Sequence, residues 1–242
     1  MQIRAHAIKE KGGRAEAFSY ERTVGSHDVL VRITHCSIAR GDVQFMDDEW
    51  GDTRFPLVPG HEIVGIVEEL GSEVADLRTG DRVGIGYQQE ACFGCYACKQ
   101  GTEQFCPRQK VIAVDCYGGL AEHIVVDGRF AFRLPSELDS AKSAPLLSSG
   151  LTVYAGIRRA RLLDGSRVAV LGVGGLGHLG VQFAAKMGFR TIAIARVLLL
   201  FHADQCQLQT LGSGACPLRL RASLLIVAIG DQALGVETLE TR

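Results

Sequence analysis

The first half of the chain alternates apolar and polar residues in short stretches that begin or end at glycines. Residues 28–34 and 63–71 show this alternation, and residues 80–86 and 118–126 each open with a glycine turn that leads into a short apolar run. Such alternation is typical of strands that are buried on one face. Because short strands at close spacing with glycine turns indicate a small barrel or sandwich, the pattern predicts an all-β domain over residues 1–147.

The pattern changes in the second half, where helical periodicity appears. Residues 140–160 predict a helix with a break near its middle, which joins the two domains. A β-branched run at residues 168–171 ends abruptly at glycines, a helix pattern follows around Leu179, and residues 191–195 predict a second strand. A strand–helix–strand order of this length is a βαβ unit. The chain is therefore predicted to be β plus α/β, with an α/β domain over residues 148–242.

Composition and charge exclude several classes of protein. The formal net charge of −1 gives no electrostatic reason to expect nucleic acid or an anionic membrane as a partner. Residues 1–13 lack the apolar core of a secretory signal, and no apolar run is long enough to span a bilayer. Four of the eight cysteines fall within residues 92–106, a clustering that favours metal binding over disulfides. A cytoplasmic location is expected.

The clustered cysteines have the spacing of a structural zinc site. Cys92, Cys95, Cys98 and Cys106 are separated by two, two and seven residues. Four thiolates close a tetrahedral shell around zinc and leave no position open for a substrate. The loop that carries them has almost no apolar content of its own, so metal ligation would give it order. The alternative is four reduced surface cysteines, although exposed thiols oxidise readily.

The glycines after the run at residues 168–171 form a G-x-G-x-x-G pattern at Gly172, Gly174 and Gly177. Such a turn lets the pyrophosphate of a dinucleotide approach the N-terminus of the following helix. The pattern alone is also compatible with an ordinary glycine-rich turn of an α/β protein. Here a strand precedes it and a helix follows, so the context favours dinucleotide binding.

These motifs together resemble one family. The resemblance is carried, in chain order, by Gly60-His61-Glu62, the four-cysteine lobe, residues 118–122, residues 144–147 with Thr152, and residues 172–177. Over about residues 1–196 the chain is similar to the zinc-type medium-chain alcohol dehydrogenases, in particular their cinnamyl-alcohol-dehydrogenase-like branch. The resemblance implies a GroES-like β-barrel catalytic domain, then a Rossmann domain, and hydride transfer between an alcohol and an aldehyde or ketone in the cleft between them. For the cofactor it implies Arg40, Thr152, Gly175 and Leu176 as further contacts.

The chain departs from the family at the catalytic zinc. The two cysteine ligand positions are occupied by Ala39 and Ser148, and only His61 remains of the three ligands that the family uses. Cys36, three residues before Ala39, is a poor substitute because a zinc shell tolerates little displacement of its ligands. Gly41 replaces the hydroxyl residue that would relay the alcohol proton. The sequence therefore predicts that no tight second zinc is bound.

Four residues remain as catalytic candidates: His61, Glu62, Asp42 and Ser148. His61 is either a retained functional histidine or a hydrogen-bonded histidine beside a barrel strand. Asp42 either orients His61 or caps a loop. Arg40 stands where an arginine could hold the cofactor pyrophosphate.

The end of the second Rossmann strand bears on the choice of cofactor. The residue there is Arg196, and no carboxylate is present to bind a ribose 2′-hydroxyl. An arginine without that acid favours the 2′-phosphate of NADP over NAD, whereas the alternative is a surface arginine without a ligand. The expected partner is a small-molecule alcohol or aldehyde, and a homodimer is compatible with the resemblance.

Beyond Arg196 the resemblance fades. Residues 223–229 predict a buried parallel strand, and the chain stops at Arg242, where relatives continue. A truncated or frame-disturbed version and a genuinely short variant both fit this ending. Two functions follow: an NADP-dependent oxidoreductase that lacks a catalytic zinc, or a catalytically inactive remnant that at most binds a nucleotide or a partner.

Overall fold

The structure is a computed structural model that describes residues 1–195 and, beyond them, the backbone of strands at residues 200–202, 207–209, 225–229 and 234–238. The chain divides into two compact units, Met1–Ser148 and Ser149–Arg242. The division predicted from the sequence falls one residue earlier. In the part of the chain that is described, no helix has both the length and the apolar character needed to cross a membrane.

The first unit is built mainly from antiparallel strands. Its elements are β1 (Gln2–Ile8), β2 (Ala15–Glu21), β3 (Asp28–Ser37), α1 (Arg40–Met46), β4 (Glu62–Leu70), β5 (Arg82–Ile85), β6 (Gln88–Glu90), α2 (Tyr96–Lys99), β7 (Lys110–Val111), β8 (His123–Asp127), β9 (Ala131–Arg133) and α3 (Ser140–Ser143). Three short 3-10 turns lie at Glu103–Phe105, Gly128–Phe130 and Ala144–Leu146.

A five-stranded sheet organises this unit. Its order is β8-β3-β4-β5-β9, and all neighbouring strands are antiparallel. Alternate residues of these strands point into one core, for example Val29 and Val31 of β3 and Val83 and Ile85 of β5, none of which is exposed to solvent. Bulges between Leu30 and Val31 and between Ile33 and His35 interrupt the pairing of β3 with β4. The predicted β-domain is confirmed.

The second unit contains α4 (Ser149–Arg159), β10 (Arg167–Leu171), α5 (Gly175–Lys186), β11 (Arg190–Ile194), β12 (Leu200–His202), β13 (Gln207–Gln209), β14 (Leu225–Ile229) and β15 (Leu234–Thr238). The strands form one sheet of order β13-β12-β11-β10-β14-β15. β10 and β11 are parallel, and α5 connects them. Buried Val153 of α4, Val170 of β10 and Ala184 of α5 belong to one core. The predicted βαβ unit is therefore present as part of a Rossmann-type domain.

One predicted strand has the wrong direction. Residues 223–229 were expected to form a parallel strand, but β14 pairs antiparallel with β10, and Val168 lies opposite Ala228. The reason is the course of the chain through the sheet. β12 and β13 are each antiparallel to the strand before them, so β13 runs in the direction of β10 and ends at the same end of the strands as the one where β14 begins. A strand parallel to β10 would have to begin at the opposite end of the strands, which needs a longer crossover connection.

Candidate functional site

The four cysteines of the lobe at residues 91–107 lie together. Their sulfur atoms are all within 4.8 Å of one another, with 3.5 Å between the Sγ atoms of Cys95 and Cys98 and 3.9 Å between those of Cys92 and Cys98. Thiolates at 2.3 Å from a tetrahedral zinc are about 3.8 Å apart. A cluster of at least three histidine, cysteine or acidic side chains is needed to hold a metal, and among the described residues these four cysteines form such a cluster. The arrangement fits one zinc with no open position.

A short helix and a turn position three of these thiols. Cys95 caps the N-terminus of α2, Cys98 lies inside that helix, and Cys106 follows the turn Glu103–Phe105. A backbone hydrogen bond from Gly94 lowers the pKa of Cys92 to about 5, whereas burial raises the pKa of Cys98 to about 12. A bound zinc would displace the protons that remain on its thiol ligands.

An arginine ties the cysteine lobe to the barrel. Phe93, which follows the first cysteine, has a backbone φ of +50°, and its ring lies 3.5 Å beneath the guanidinium of Arg129. Arg129 donates to both carboxylate oxygens of the buried Asp127, at 2.8 and 2.5 Å, at the end of β8. The ring of Phe130 packs against the ring of Phe93, with 5.7 Å between ring centres. We name this contact between Arg129, Phe93 and Asp127 the lobe clamp.

A second polar cluster lies at the N-terminus of α1. Asp42 has no solvent exposure, and its Oδ1 accepts from the backbone N–H of Gly60 at 2.7 Å and lies 2.9 Å from Nδ1 of His61. Its Oδ2 accepts from the backbone N–H of Ala39 at 2.8 Å. Asp42 therefore holds two loops and the imidazole of His61 at once. His61 itself is 7 % exposed.

Glu62 and Cys36 are close neighbours of this cluster. Ser37 donates its hydroxyl to Oε2 of the buried Glu62 at 2.5 Å. A Cβ atom at Gly60 would lie 2.6 Å from the sulfur of Cys36, so the thiol packs directly against the loop that carries His61. Burial raises the pKa of Cys36 to about 12. Cys36 is therefore a buried thiol that packs against this loop, and its poor suitability as a zinc ligand stays a prediction.

Gly41 and Ser148 occupy two further positions of the catalytic site that the resemblance implies. A Cβ atom at Gly41 would lie 3.5 Å from Cε1 of His61, so this position faces the imidazole. Ser148 is half-buried at the end of the first unit, after the turn Ala144–Leu146, which contacts β3 and β4. The absence of a tight second zinc stays a prediction.

The glycines of the turn at residues 172–177 differ in whether the fold itself requires a glycine at that position. Gly172 has φ +86° and donates its N–H to the carbonyl of Ile194 at 2.8 Å. A Cβ atom at Gly177 would overlap the carbonyl oxygen of Gly172 and lie 2.8 Å from its carbonyl carbon. By contrast, a Cβ atom at Gly174 or Gly175 would meet nothing within 4 Å. The fold itself requires glycine at 172 and 177, and it leaves open space at the N-terminus of α5.

The remaining cofactor candidates differ in their exposure to solvent. Leu176 is half-buried against the core of the second unit. Thr152 is exposed on α4, and Arg40 is exposed at the start of α1, with its guanidinium 3.9 Å from Glu49. Arg196 lies outside the described residues. The cofactor roles of these residues stay predictions.

Sequence reasoning missed one neighbour of His61. The ring of Tyr87 meets the imidazole edge to face, with 5.6 Å between ring centres and 78° between planes. Burial raises the pKa of Tyr87 to about 12. The residue follows β5 as an ordinary aromatic residue, and no motif marks it, because the contact depends on how β5 packs beside the loop of His61.

Comparisons with known proteins agree with this combination of barrel, cysteine lobe and glycine turn. The model of the alcohol dehydrogenase GroES-like domain matches residues 25–136. Cinnamyl alcohol dehydrogenase 8 of Arabidopsis thaliana is 37 % identical over 78 % of this chain and 55 % of its own length. The probable formaldehyde dehydrogenase AdhA of Bacillus subtilis is 39 % identical over 81 % of this chain and 58 % of its own. The structure of a cinnamyl alcohol dehydrogenase from Helicobacter pylori, complexed with NADP(H), superposes with a TM-score of 0.76 at 32 % identity, covering 80 % of this chain and 58 % of that one.

The fold is that of a GroES-like domain followed by part of a Rossmann domain, as the resemblance implied. The chain belongs to the zinc-type medium-chain alcohol dehydrogenase family. It spans just over half the length of the curated relatives that it matches.

Proposed function

We propose that this protein is an NADP(H)-dependent oxidoreductase that transfers hydride between an alcohol and an aldehyde or ketone, and that its zinc is structural. The observation that carries the proposal is the open glycine turn at the N-terminus of α5. Gly174 and Gly175 face free space, although the packing of the protein around them would tolerate a side chain. Bare backbone at a helix N-terminus, where N–H groups are unpaired, suits a pyrophosphate. The bound nicotinamide would supply the hydride.

The choice of NADP(H) rests on two supports. Arg196 follows the second Rossmann strand, where an acid would favour NAD. The Helicobacter pylori relative is described as complexed with NADP(H). Arg40 and Thr152 are proposed as further contacts of the cofactor.

The substrate is proposed to be a small alcohol or aldehyde. The relatives carry names of this class, among them cinnamyl alcohol dehydrogenase and an aldehyde reductase of Synechocystis. A cytoplasmic location and a homodimer without nucleic acid or membrane partners complete the proposal. The oligomeric state is measurable by sedimentation.

A structural role of zinc is supported by the four thiols, whose sulfur atoms lie within 4.8 Å of one another and could fill all four ligand positions of one ion. The catalytic position has lost its two thiolates to Ala39 and Ser148, and a single imidazole makes a weak zinc ligand set. These two substitutions also favour the second candidate function, an inactive domain that only binds nucleotide or a partner.

Calorimetric titration with NADPH and NADH tests the proposal. NADPH should bind more tightly than NADH, and Arg196→Ala should weaken NADPH by about tenfold or more while changing NADH little. Arg190→Ala is the matched control, because Arg190 is an exposed arginine at the start of β11, a few residues before Arg196 in the sequence. Gly174→Val should weaken both nucleotides. Equal affinities would remove the role of Arg196, and no binding of either nucleotide would favour the inactive domain.

A further inference from the structure

A cavity of about 380 Å³ lies in the first unit, and none of the described catalytic or cofactor candidates lines it. Three segments form its walls: residues 20–22 at the end of β2, residues 54–58, and residues 113–117. Small-molecule sites in proteins commonly have volumes of about 300–1,000 Å³. We name this cavity the side pocket, and its size is sufficient for a small ligand.

Backbone hydrogen bonds fix the walls of the side pocket. Leu57 accepts from the N–H of Ile8 in β1 at 2.7 Å and donates its own N–H to the carbonyl of Ile8 at 2.8 Å. Gly118, which follows the third segment, donates to the carbonyl of Val58 at 2.8 Å. The second wall is thus tied both to β1 and to the third wall. Because the walls are already ordered, a ligand would lose little affinity to the ordering of loops.

The interior of the side pocket is apolar and aromatic. Leu57, Val58 and Ala113 are buried residues of its lining. The rings of Tyr20 and Tyr117 lie beside them, with 4.5 Å between ring centres. Burial raises the pKa of Tyr20 to about 12, so this phenol is neutral near pH 7 and does not repel an anion. Such a lining suits a flat apolar ring.

Two exposed arginines, Arg22 and Arg54, belong to the same lining. Among the residues that the structure describes, no carboxylate forms an ion pair with either guanidinium. A guanidinium offers a planar set of N–H donors that matches a carboxylate. The lining therefore combines an apolar interior with two available anion-binding groups.

The backbone directs Arg22 to the side of the strand that carries Tyr20. The N–H of Arg22 donates to the carbonyl of Met1 at 3.0 Å, and the N-terminal ammonium of Met1 donates to the carbonyl of Arg22 at 2.7 Å. The pairing of β2 with β1 therefore continues through Arg22. Since side chains alternate along a strand, Arg22 and Tyr20 share one face and Glu21 lies on the other.

The second acid of the lining is used within its own segment. Oδ2 of Asp115 accepts from the backbone N–H of Val111 at 3.0 Å. The thiol of Cys116 donates to the carbonyl of Val111 at 3.3 Å, and burial raises its pKa to about 12, so it adds no negative charge. The charges that remain available to a ligand are therefore the two guanidinium groups.

We propose that the side pocket binds a small aromatic carboxylate, with its ring against Tyr20 and Tyr117 and its carboxylate on Arg22 and Arg54. An inorganic anion would leave the aromatic lining unused, and a neutral arene would leave the guanidinium groups unused. The complete lining belongs to the first unit, so binding depends neither on the nucleotide nor on hydride transfer.

Calorimetric titration of the full chain with 2-naphthoate tests the proposal. The wild type should bind it with a Kd of about 1 mM or tighter, and Arg22→Gln and Arg54→Gln should each weaken binding by about tenfold. Arg14→Gln is the matched control, because Arg14 is an exposed arginine just before β2 and does not line the pocket. Glu21→Gln should also leave the affinity unchanged, because this side chain lies on the other face of the strand.

The neutral isostere 2-naphthamide separates the two parts of the site without any mutation. It should bind the wild type about tenfold more weakly than 2-naphthoate and should bind both arginine variants as it binds the wild type. NMR of the backbone amides locates the ligand, and 2-naphthoate should shift the signals of residues 54–58 and 113–117. No saturable binding of 2-naphthoate, equal affinities for the acid and the amide, or shifts confined to the glycine turn at residues 172–177 would each overturn the proposal. A wild type that binds 2-naphthoate in this way but no dinucleotide would refute only the proposed function.

Discussion

Gly177 and Gly174 lie three residues apart in the same turn, and we expect alanine to lower the stability of the protein at Gly177 but not at Gly174. At Gly177 the added methyl group would overlap the carbonyl oxygen of Gly172. That oxygen belongs to the backbone of a turn held by φ +86° and by the hydrogen bond of Gly172 to β11, so it cannot move aside alone. At Gly174 the backbone is extended and the space is open.

The magnitude follows from this contrast. Forcing a methyl group into a packed site costs about 1–3 kcal/mol. In a unit of this size, such a loss lowers Tm by roughly 5–20 °C. Gly174→Ala should change the free energy of unfolding by less than about 1 kcal/mol, because alanine fits the extended backbone there. Only the affinity for dinucleotide should fall.

The assay can separate the two units. The single tryptophan, Trp50, lies in the first unit, so intrinsic fluorescence follows that unit. Hydrogen exchange of the α5 amides follows the second. In Gly177→Ala these amides should exchange faster while the Trp50 transition stays in place. A Gly177→Ala protein with unchanged α5 protection, or a Gly174→Ala protein as destabilised as it, would refute the reasoning.

Three further predictions concern the zinc lobe and the cluster at α1. Cys98→Ser should lower the zinc content from about one per chain, whereas Cys116→Ser, outside the lobe, should leave it unchanged by elemental analysis. Ala39→Cys combined with Ser148→Cys should raise the zinc content towards two, and a content that stays at one would show that these positions are not the lost ligands. Arg129→Ala, which removes the lobe clamp, should cost about 1–3 kcal/mol in urea unfolding and speed the loss of zinc to a chelator. Arg129→Lys should cost less if charge alone matters, and as much as alanine if the planar guanidinium is needed.

Features that depend on local spacing could be predicted from the sequence. The separations of Cys92, Cys95, Cys98 and Cys106 suffice for the zinc lobe, because a short loop can close four ligands around one ion. The glycines that open α5 are likewise marked by local backbone demands, as the close approach at Gly177 shows. The alternation of apolar and polar residues was enough to predict the barrel strands.

Features that depend on contacts between distant segments could not be predicted. The direction of β14 depends on the path of the chain through β12 and β13, which local periodicity does not encode. The contact of Arg129 with Phe93 joins segments that are separated in sequence. For Asp42 the sequence left two alternatives, a loop cap or a partner of His61, and the structure combines them in one carboxylate.

The central claim is hydride transfer by a chain whose zinc is held only in the cysteine lobe. The most direct measurement is to incubate protein of known zinc content with NADPH deuterated at C4 of the nicotinamide and a panel of aldehydes and ketones. Mass spectrometry of the alcohols then locates the label. The account predicts deuterium on the former carbonyl carbon, from protein that contains about one zinc per chain. Protein that binds NADPH but gives no labelled alcohol, or that gives it only with a second zinc bound, would contradict the account.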